Sequence, residues 1–331
     1  MDPITHGLIG AATTQSFSSK QNIRQVSLVG FFSALLPDLD VFISRASDPL
    51  LNVEFHRQFS HSLFFIPAGA LIATVLIWWL VKKKLSFKET YFYSLLAYGS
   101  ACLSDAATSY GVQLIWPFTD ERFSWNLISI FDPLFSLILI LAVGFALYKK
   151  KPLFAWLGLG WIAIYLAFGF SQQKRAYDVA YQVANERGHN IEQLTIKPTM
   201  ANEILWSIRY THSDSLYTLG VRLLPFTKPT LYEGDTAALL KWEEKYAAFK
   251  GTTMYEDIGR FSKLSDGILI MHPDYENVIG DGRYSLLPTS LAPLWGIEID
   301  ITKSNSHVPF DSYRKPTKEV RQQFMDMLLG K

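Results

Sequence analysis

The sequence predicts an α-helical integral membrane domain of about six spans over residues 1–171, followed by a mixed α+β soluble domain over residues 172–331. Three observations carry that expectation. Of the 61 Asp, Glu, Lys and Arg residues, 22 lie in residues 1–171 and 39 in the rest, so the two halves are built for different solvents. Uncharged runs long enough for a membrane helix crowd the first half. Lysine clusters fall between those runs at alternate ends, the pattern that orients membrane helices.

Four runs carry the prediction most directly: residues 63–81 and 153–171 without charge, 127–148 with Asp132 near its start, and 91–110 with Asp105 in its second half. Each matches the 17–25 or so mostly apolar residues that span hydrocarbon at about 1.5 Å per residue. Two weaker runs precede them: residues 26–43, interrupted by "PDLD", and residues 4–19, rich in small and hydroxyl side chains. A signal peptide is not expected, since Asp2 stands where a basic n-region would be.

The basic groups are Lys20 with Arg24, then Lys82, Lys83, Lys84 and Lys88, then Lys149, Lys150 and Lys151. Placing all three in the cytoplasm puts the N-terminus and the C-terminal half outside, and Arg45, Arg57 and Arg122 on the outer side weaken the bias without reversing it. The expected setting is therefore a bacterial inner membrane crossed several times, with a periplasmic C-terminal domain. The same assignment gathers the ionisable stretches of the first half on one outer face.

Past residue 171 the sequence turns polar, with β-prone runs at 205–212, 215–224, 267–272 and 295–301 and helical patterns at 172–187 and 236–250. A net charge of +1 without a basic patch argues against a nucleic-acid partner. The lone cysteine, Cys102, lies inside a span and says nothing of redox compartment.

Candidate chemistry concentrates before residue 132. In "PDLD", Asp38 and Asp40 stand two apart, and in an extended stretch both carboxylates project to one side. Held together they repel unless a cation lies between them; the bland alternative is a polar cap on a span. His56 and His61, in "FHRQFSHS", are five apart, about 140° on a helix, so they cannot share an ion from mid-helix. A Ser60 cap with His61 in the first turn, and His56 folding back with Arg57, reconciles them. Asp105 is an acid within a span, tolerated there for a paired or functional role. Asp2 and His6 share a face of a short helix starting at Pro3, where Asp2 alone would serve as a cap. Asp132 before Pro133 reads as an N-cap. Arg122 follows Asp120 and Glu121 in a turn, and an arginine beside a metal would clamp phosphate. His189, His212, His272 and His307 lack acidic partners at ligand spacing and read as structural or exposed.

"DPITHG" at 2–7, "LLPDLD" at 35–40, "HRQFSHS" at 56–62, "LSDAATSYGVQLIWPF" at 103–118 and "IFDPL" at 130–134 together resemble the YdjM-like inner-membrane proteins. These are described as LexA-binding, membrane-bound, metal-dependent hydrolases distantly similar to zinc-dependent phospholipases C. The resemblance implies a site of His6, Asp38, Asp40, His56, His61 and Asp105. Many members read His-x-x-x-Asp where this chain has Ala101 and Asp105, so one implied ligand is missing. The site then holds fewer ions or is completed by another residue such as Asp2.

Imidazole with carboxylate suits zinc, manganese or iron better than calcium or magnesium. The expected chemistry is hydrolysis of a phosphoester, with a lipid-linked substrate favoured by location. Water is acidified to a pKa of about 7 by a divalent transition metal. His6 is expected as ligand or proton shuttle and Arg57 as stabiliser of developing charge. Membrane lipids, and a protein partner for the C-terminal domain, are the other expected contacts. A non-catalytic, metal-stabilised scaffold is the rival; a transporter would show broken-helix pairs or an inverted repeat, and neither is evident.

Overall fold

A computed structural model describes all 331 residues. The chain divides into two compact units. One comprises Met1–Ile43, Phe55–Ser171 and Met200–Asn202; the other comprises Ser44–Glu54, Gln172–Thr199 and Glu203–Lys331.

The first unit is helical. Helix α1 (Pro3–Ser16) starts where the Asp2 carboxylate accepts the Thr5 N–H and Pro3 fills the first helical position. Helix α2 (Ile23–Leu35) runs on into a 3-10 segment, Pro37–Phe42. A short α3 (Leu51–Phe55), all but its last residue in the other unit, precedes α4 (Ile66–Val81). Helix α5 (Phe87–Ala106) opens with a reciprocal cap between Ser86 and Glu89. The Asp132 carboxylate accepts the N–H groups of Leu134 and Phe135 to start α6 (Pro133–Lys149), so the N-cap expectation holds. Helix α7 (Leu153–Glu186) is continuous for 34 residues.

Helices α1 and α2 lie backbone to backbone because both present glycine at their crossing. A Cβ on Gly10 would stand 2.4 Å from the Gly30 carbonyl oxygen, and one on Gly30 would stand 2.2 Å from Thr14 Oγ1. Small residues at a crossing are how helices approach in lipid, where no hydrophobic force drives them together. This contact holds His6, one turn before Gly10, against the end of α2.

The expected count of about six spans is not supported. Two helical stretches have the length and apolarity to cross a membrane, Ile23–Phe42 and Leu153–Glu186. A third arises only if Leu51–His61 and Ile66–Val81, bent by 89°, count as one broken span. The shortfall has a local cause in each case. Pro67 sits in the first turn of α4, shortening it to 16 residues; α6 has 17; α1 has 14; α5 has 20 but carries Lys88, Glu89 and Asp105.

The second unit holds two antiparallel four-stranded sheets, each in sequential order. The first consists of β1 (Gln193–Pro198), β2 (Leu205–His212), β3 (Ser215–Arg222) and β4 (Thr230–Ala238), with a bulge between Tyr217 and Leu219. Ala176, Ala180 and Val183 of α7 pack on Ile196, Trp206, Ile208 and Leu219 beneath it. Next come a single turn, α8 (Trp242–Lys245), and α9 (Thr253–Leu264). The other sheet follows as β5 (Leu269–Met271), β6 (Val278–Asp281), β7 (Trp295–Glu298) and β8 (Phe310–Ser312), and α10 (Lys318–Leu329) ends the chain. Leu50, Met254, Ile258, Phe261, Ile279 and Ile297 form the core under this sheet.

All four β-prone runs contain strands. The helix expected over 236–250 is mostly absent: β4 continues to Ala238, and only Trp242–Lys245 and a 3-10 turn at Ala247–Phe249 are helical. The alanines that suggested a helix at 237 and 238 pair instead with Leu216 and Ser215 of β3.

Candidate metal centre

The sequence-predicted residues converge within the first unit, but in two tiers. His6, Asp38, His61 and Asp105 close a ring of alternating imidazoles and carboxylates. His6 Nδ1 lies 2.8 Å from Asp38 Oδ2 and its Nε2 lies 3.1 Å from Asp105 Oδ1. His61 Nε2 lies 3.5 Å from Asp38 Oδ1 and 3.1 Å from Asp105 Oδ2. The side chains of His6, His61 and Asp105 are fully buried, and Asp38, 21% exposed, is the ring's outlet to solvent.

The second tier orients the first. Asp40 is buried and does not face the ring's centre. Its Oδ1 lies 2.6 Å from His56 Nδ1; its Oδ2 accepts the Arg57 N–H at 2.8 Å and the Ser60 hydroxyl, and stands 3.4 Å from His61 Nδ1. Holding the far nitrogen of His61 fixes the direction in which its Nε2 points. His56, a third exposed, sits at the rim with its ring centroid 6.5 Å from that of His61.

Several local expectations are corrected. The "PDLD" stretch is a 3-10 turn, not extended, so Asp38 and Asp40 diverge to different histidines. Ser60 caps no helix; it lies in a 3-10 turn, Phe59–His61, and bonds to Asp40 and to His61 Nδ1. Arg57, at φ 60°, makes the sharp bend that lets His56 and His61 meet. Its guanidinium is buried against Asp105 Oδ1 at 3.1 Å and donates to Thr108 at 3.3 Å. Asp2 does not complete the ring, because Thr5 takes both of its oxygens. The amino group of Met1 instead ion-pairs with Asp105, a neighbour that side-chain motifs do not reveal. Arg122 donates to the His56 carbonyl.

The ring fits a small divalent ion on the chemistry of its donors. His61 Nε2 and Asp105 Oδ2 are buried and face each other at 3.1 Å as an ion pair without hydrogen-bond alignment. Buried polar atoms without aligned hydrogen bonds are costly, and a cation would give both a better partner. One donor atom each from His6, Asp38 and Asp105 lies within 4.8 Å of the other two, a spacing that admits a single ion among them. Ala101 is fully buried in α5, so the residue that departs from the related motif offers no donor.

A second His/Asp group lies in the other unit: Asp48, Asp257 and His307. Here Arg260 already supplies the cation, with nitrogens 3.0 Å from Asp48, 2.6 Å from Glu54 and 2.7 Å from Asp257. His307 Nδ1 is 2.9 Å from Asp257, a pairing hidden in the sequence by fifty positions.

A helical region with membrane-length apolar helices and a buried imidazole–carboxylate ring defines a membrane protein with a candidate metal centre. The chain belongs to the YdjM inner membrane protein family, which matches residues 1–176. It is similar to inner membrane protein YbcI of Escherichia coli (strain K12), 28% identical over 133 residues that cover 38% of this chain and 75% of that protein. No solved structure matches. All four ring residues lie inside the family match, and nearly all of the sheet-containing unit lies outside it.

Proposed function

We propose that this is a metal-dependent phosphoester hydrolase of the inner membrane, with His6, Asp38, His61 and Asp105 holding a divalent transition ion, zinc before manganese or iron. The observation that carries the reading is the convergence of His6, Asp38 and Asp105, whose donor atoms lie within 4.8 Å of one another, with His61 Nε2 3.1 Å from Asp105 Oδ2 beside them. When bound, such an ion supplies Lewis acidity that polarises a phosphoryl oxygen and makes water nucleophilic near neutral pH. The chain's own residues do the rest. Asp40 orients His61 and His56; Arg57 offsets the charge of Asp105; His56, at the rim, is placed to carry protons to solvent. Asp38 opens the ring to substrate.

Exposed apolar side chains on short helices support a multi-pass arrangement: Leu71, Val75, Leu76 and Trp79 on α4, and Leu137, Ile140 and Leu141 on α6, need a hydrocarbon neighbour. The lysine clusters support an extracytoplasmic C-terminal region. A substrate with a lipid tail would bring its phosphoester to the rim.

The complete burial of His6, His61 and Asp105 favours a second reading, a structural metal site that ties α1, α5 and the Phe59–His61 turn together without catalysis. Elemental analysis of detergent-purified protein tests both readings. Stoichiometric metal in wild type and its loss in His61→Ala are expected; absence of metal from wild type under replete conditions refutes both. Metal without turnover of phosphodiesters or phospholipids that is sensitive to His61→Ala leaves the structural reading.

A further inference from the structure

Between α2 and α6, away from the His/Asp ring, a groove of about 620 Å³ opens on the helical unit. One wall is a single stripe of α2, Arg24, Leu28 and Phe31, and the other is Gly144, Leu147 and Tyr148 of α6. Two features give the groove a polarity. Arg24 stands in the first turn of α2 and Tyr148 in the last turn of α6, so both mark the same end. Phe31, seven residues along, lies about 10 Å deeper at 1.5 Å per residue. The lining beyond Arg24 is almost wholly apolar, with Leu28 half exposed.

The charged residues that flank the two walls in sequence are all basic. Lys20 precedes α2, and Lys149, Lys150 and Lys151 follow Tyr148, while the sequence carries no Asp or Glu in residues 3–37 or 133–177. Gly144 borders open space, since a Cβ built there would meet nothing within 4 Å. Helix α6 packs mainly on α1 and only lightly on α2, which leaves the cleft unfilled by protein.

We propose that this groove binds one anionic phospholipid, an acyl chain lying along Leu28, Phe31 and Leu147 and the phosphate held at Arg24 beside the lysine cluster. Charge complementarity selects the occupant. A basic rim on an apolar cleft between membrane helices matches a negative headgroup above hydrocarbon, and its volume suits a small ligand. A zwitterionic lipid would fill the cleft but gain little from four lysines and an arginine. The site is independent of the metal centre, so its outcome does not depend on catalysis.

Native mass spectrometry of the full chain from mixed micelles of equal phosphatidylglycerol and phosphatidylcholine tests the proposal. Wild type is expected to retain one phosphatidylglycerol in preference to phosphatidylcholine. Arg24→Gln should lower that retention about fivefold, the effect of removing one cation near a lipid headgroup. Gly144→Trp, which fills the open space, should abolish it, and Gly144→Ala should not. Equal retention of the two lipids by wild type overturns the proposal. So does undiminished phosphatidylglycerol on Gly144→Trp. Arg24 is exposed, so its variant keeps the packing and stays informative if the tryptophan disturbs folding.

Discussion

Asp40→Asn separates orienting the centre from forming it. Both Asp40 oxygens act only as acceptors, toward His56 Nδ1, the Arg57 N–H, and the Ser60 hydroxyl. Asparagine keeps the shape but has one acceptor oxygen. The Arg57 N–H cannot reverse its role, so the amide oxygen must stay at the Oδ2 position. Its NH2 then faces His56 Nδ1, which must accept and move its proton to Nε2. The two remaining bonds lose their charge assistance, about 1 kcal/mol each, which amounts to about 2 kcal/mol of local stability. His61 loses the charge that steadies its Nδ1, and metal affinity should fall about 10–100-fold, as when a partner behind a ligand is removed. Competition of the detergent-purified protein with a chromophoric zinc chelator reads this. A folded Asp40→Asn protein with wild-type zinc affinity would refute the orienting role, and loss of zinc as complete as in His61→Ala would make Asp40 a ligand.

Three further outcomes follow from the packing. Gly30→Ala forces a methyl to within 2.2 Å of Thr14 Oγ1 and 2.5 Å of the Gly10 carbonyl; it should cost about 1–3 kcal/mol in thermal unfolding and weaken metal binding by displacing α1. Burial drives the Lys197 ammonium well below the lysine range, the Arg209 charge adding to it, with Nζ unpaired except for the Tyr284 ring at 3.1 Å. The unfolded chain therefore binds the extra proton between that depressed pKa and about 10.4, so this contribution to stability grows as pH rises, by at most about 1.4 kcal/mol per unit, and Lys197→Met should remove the slope. A second unit insensitive to that substitution across pH 7–10 by hydrogen exchange would mean the amine is solvated. Arg260→Ala leaves the buried Asp257 to His307 and the Val308 N–H alone and releases Asp48 and Glu54, at about 2–3 kcal/mol for a partly exposed network; faster proteolysis within Ser44–Glu54 is the readout.

The membership of the centre was legible in the sequence while its roles were not. A charge in or beside an apolar run is conspicuous, so His6, Asp38, Asp40, His56, His61 and Asp105 stood out without coordinates. What each one faces depended on turn geometry that the sequence signals weakly. Pro37 initiates a 3-10 turn in place of an extended strand, and the left-handed Arg57 has no glycine to announce it. The helix count failed for a related reason: length in an apolar run is not length in a helix once Pro67 or a polar half-turn intervenes. Strands in the second unit were easier, because polar and apolar residues alternate in 205–212, although the polar Ser207, Arg209 and Thr211 are buried as well. The polar pairs of that unit, such as Asp257 with His307, join positions that no local pattern connects.

The two halves of the centre are joined by a segment that belongs elsewhere. Asp38 and Asp40 come from Met1–Ile43 and His56 and His61 from Phe55–Ser171, while Ser44–Glu54 between them folds into the sheet-containing unit. There Leu50 is fully buried in the core under β5–β8, and Asp48 and Glu54 are held by Arg260. The family match covers this excursion as well as the motifs on either side of it, yet the ion pairs that order the excursion run to Arg260, outside the matched residues. A pattern confined to the matched region therefore shows the two motifs but not what orders the segment between them.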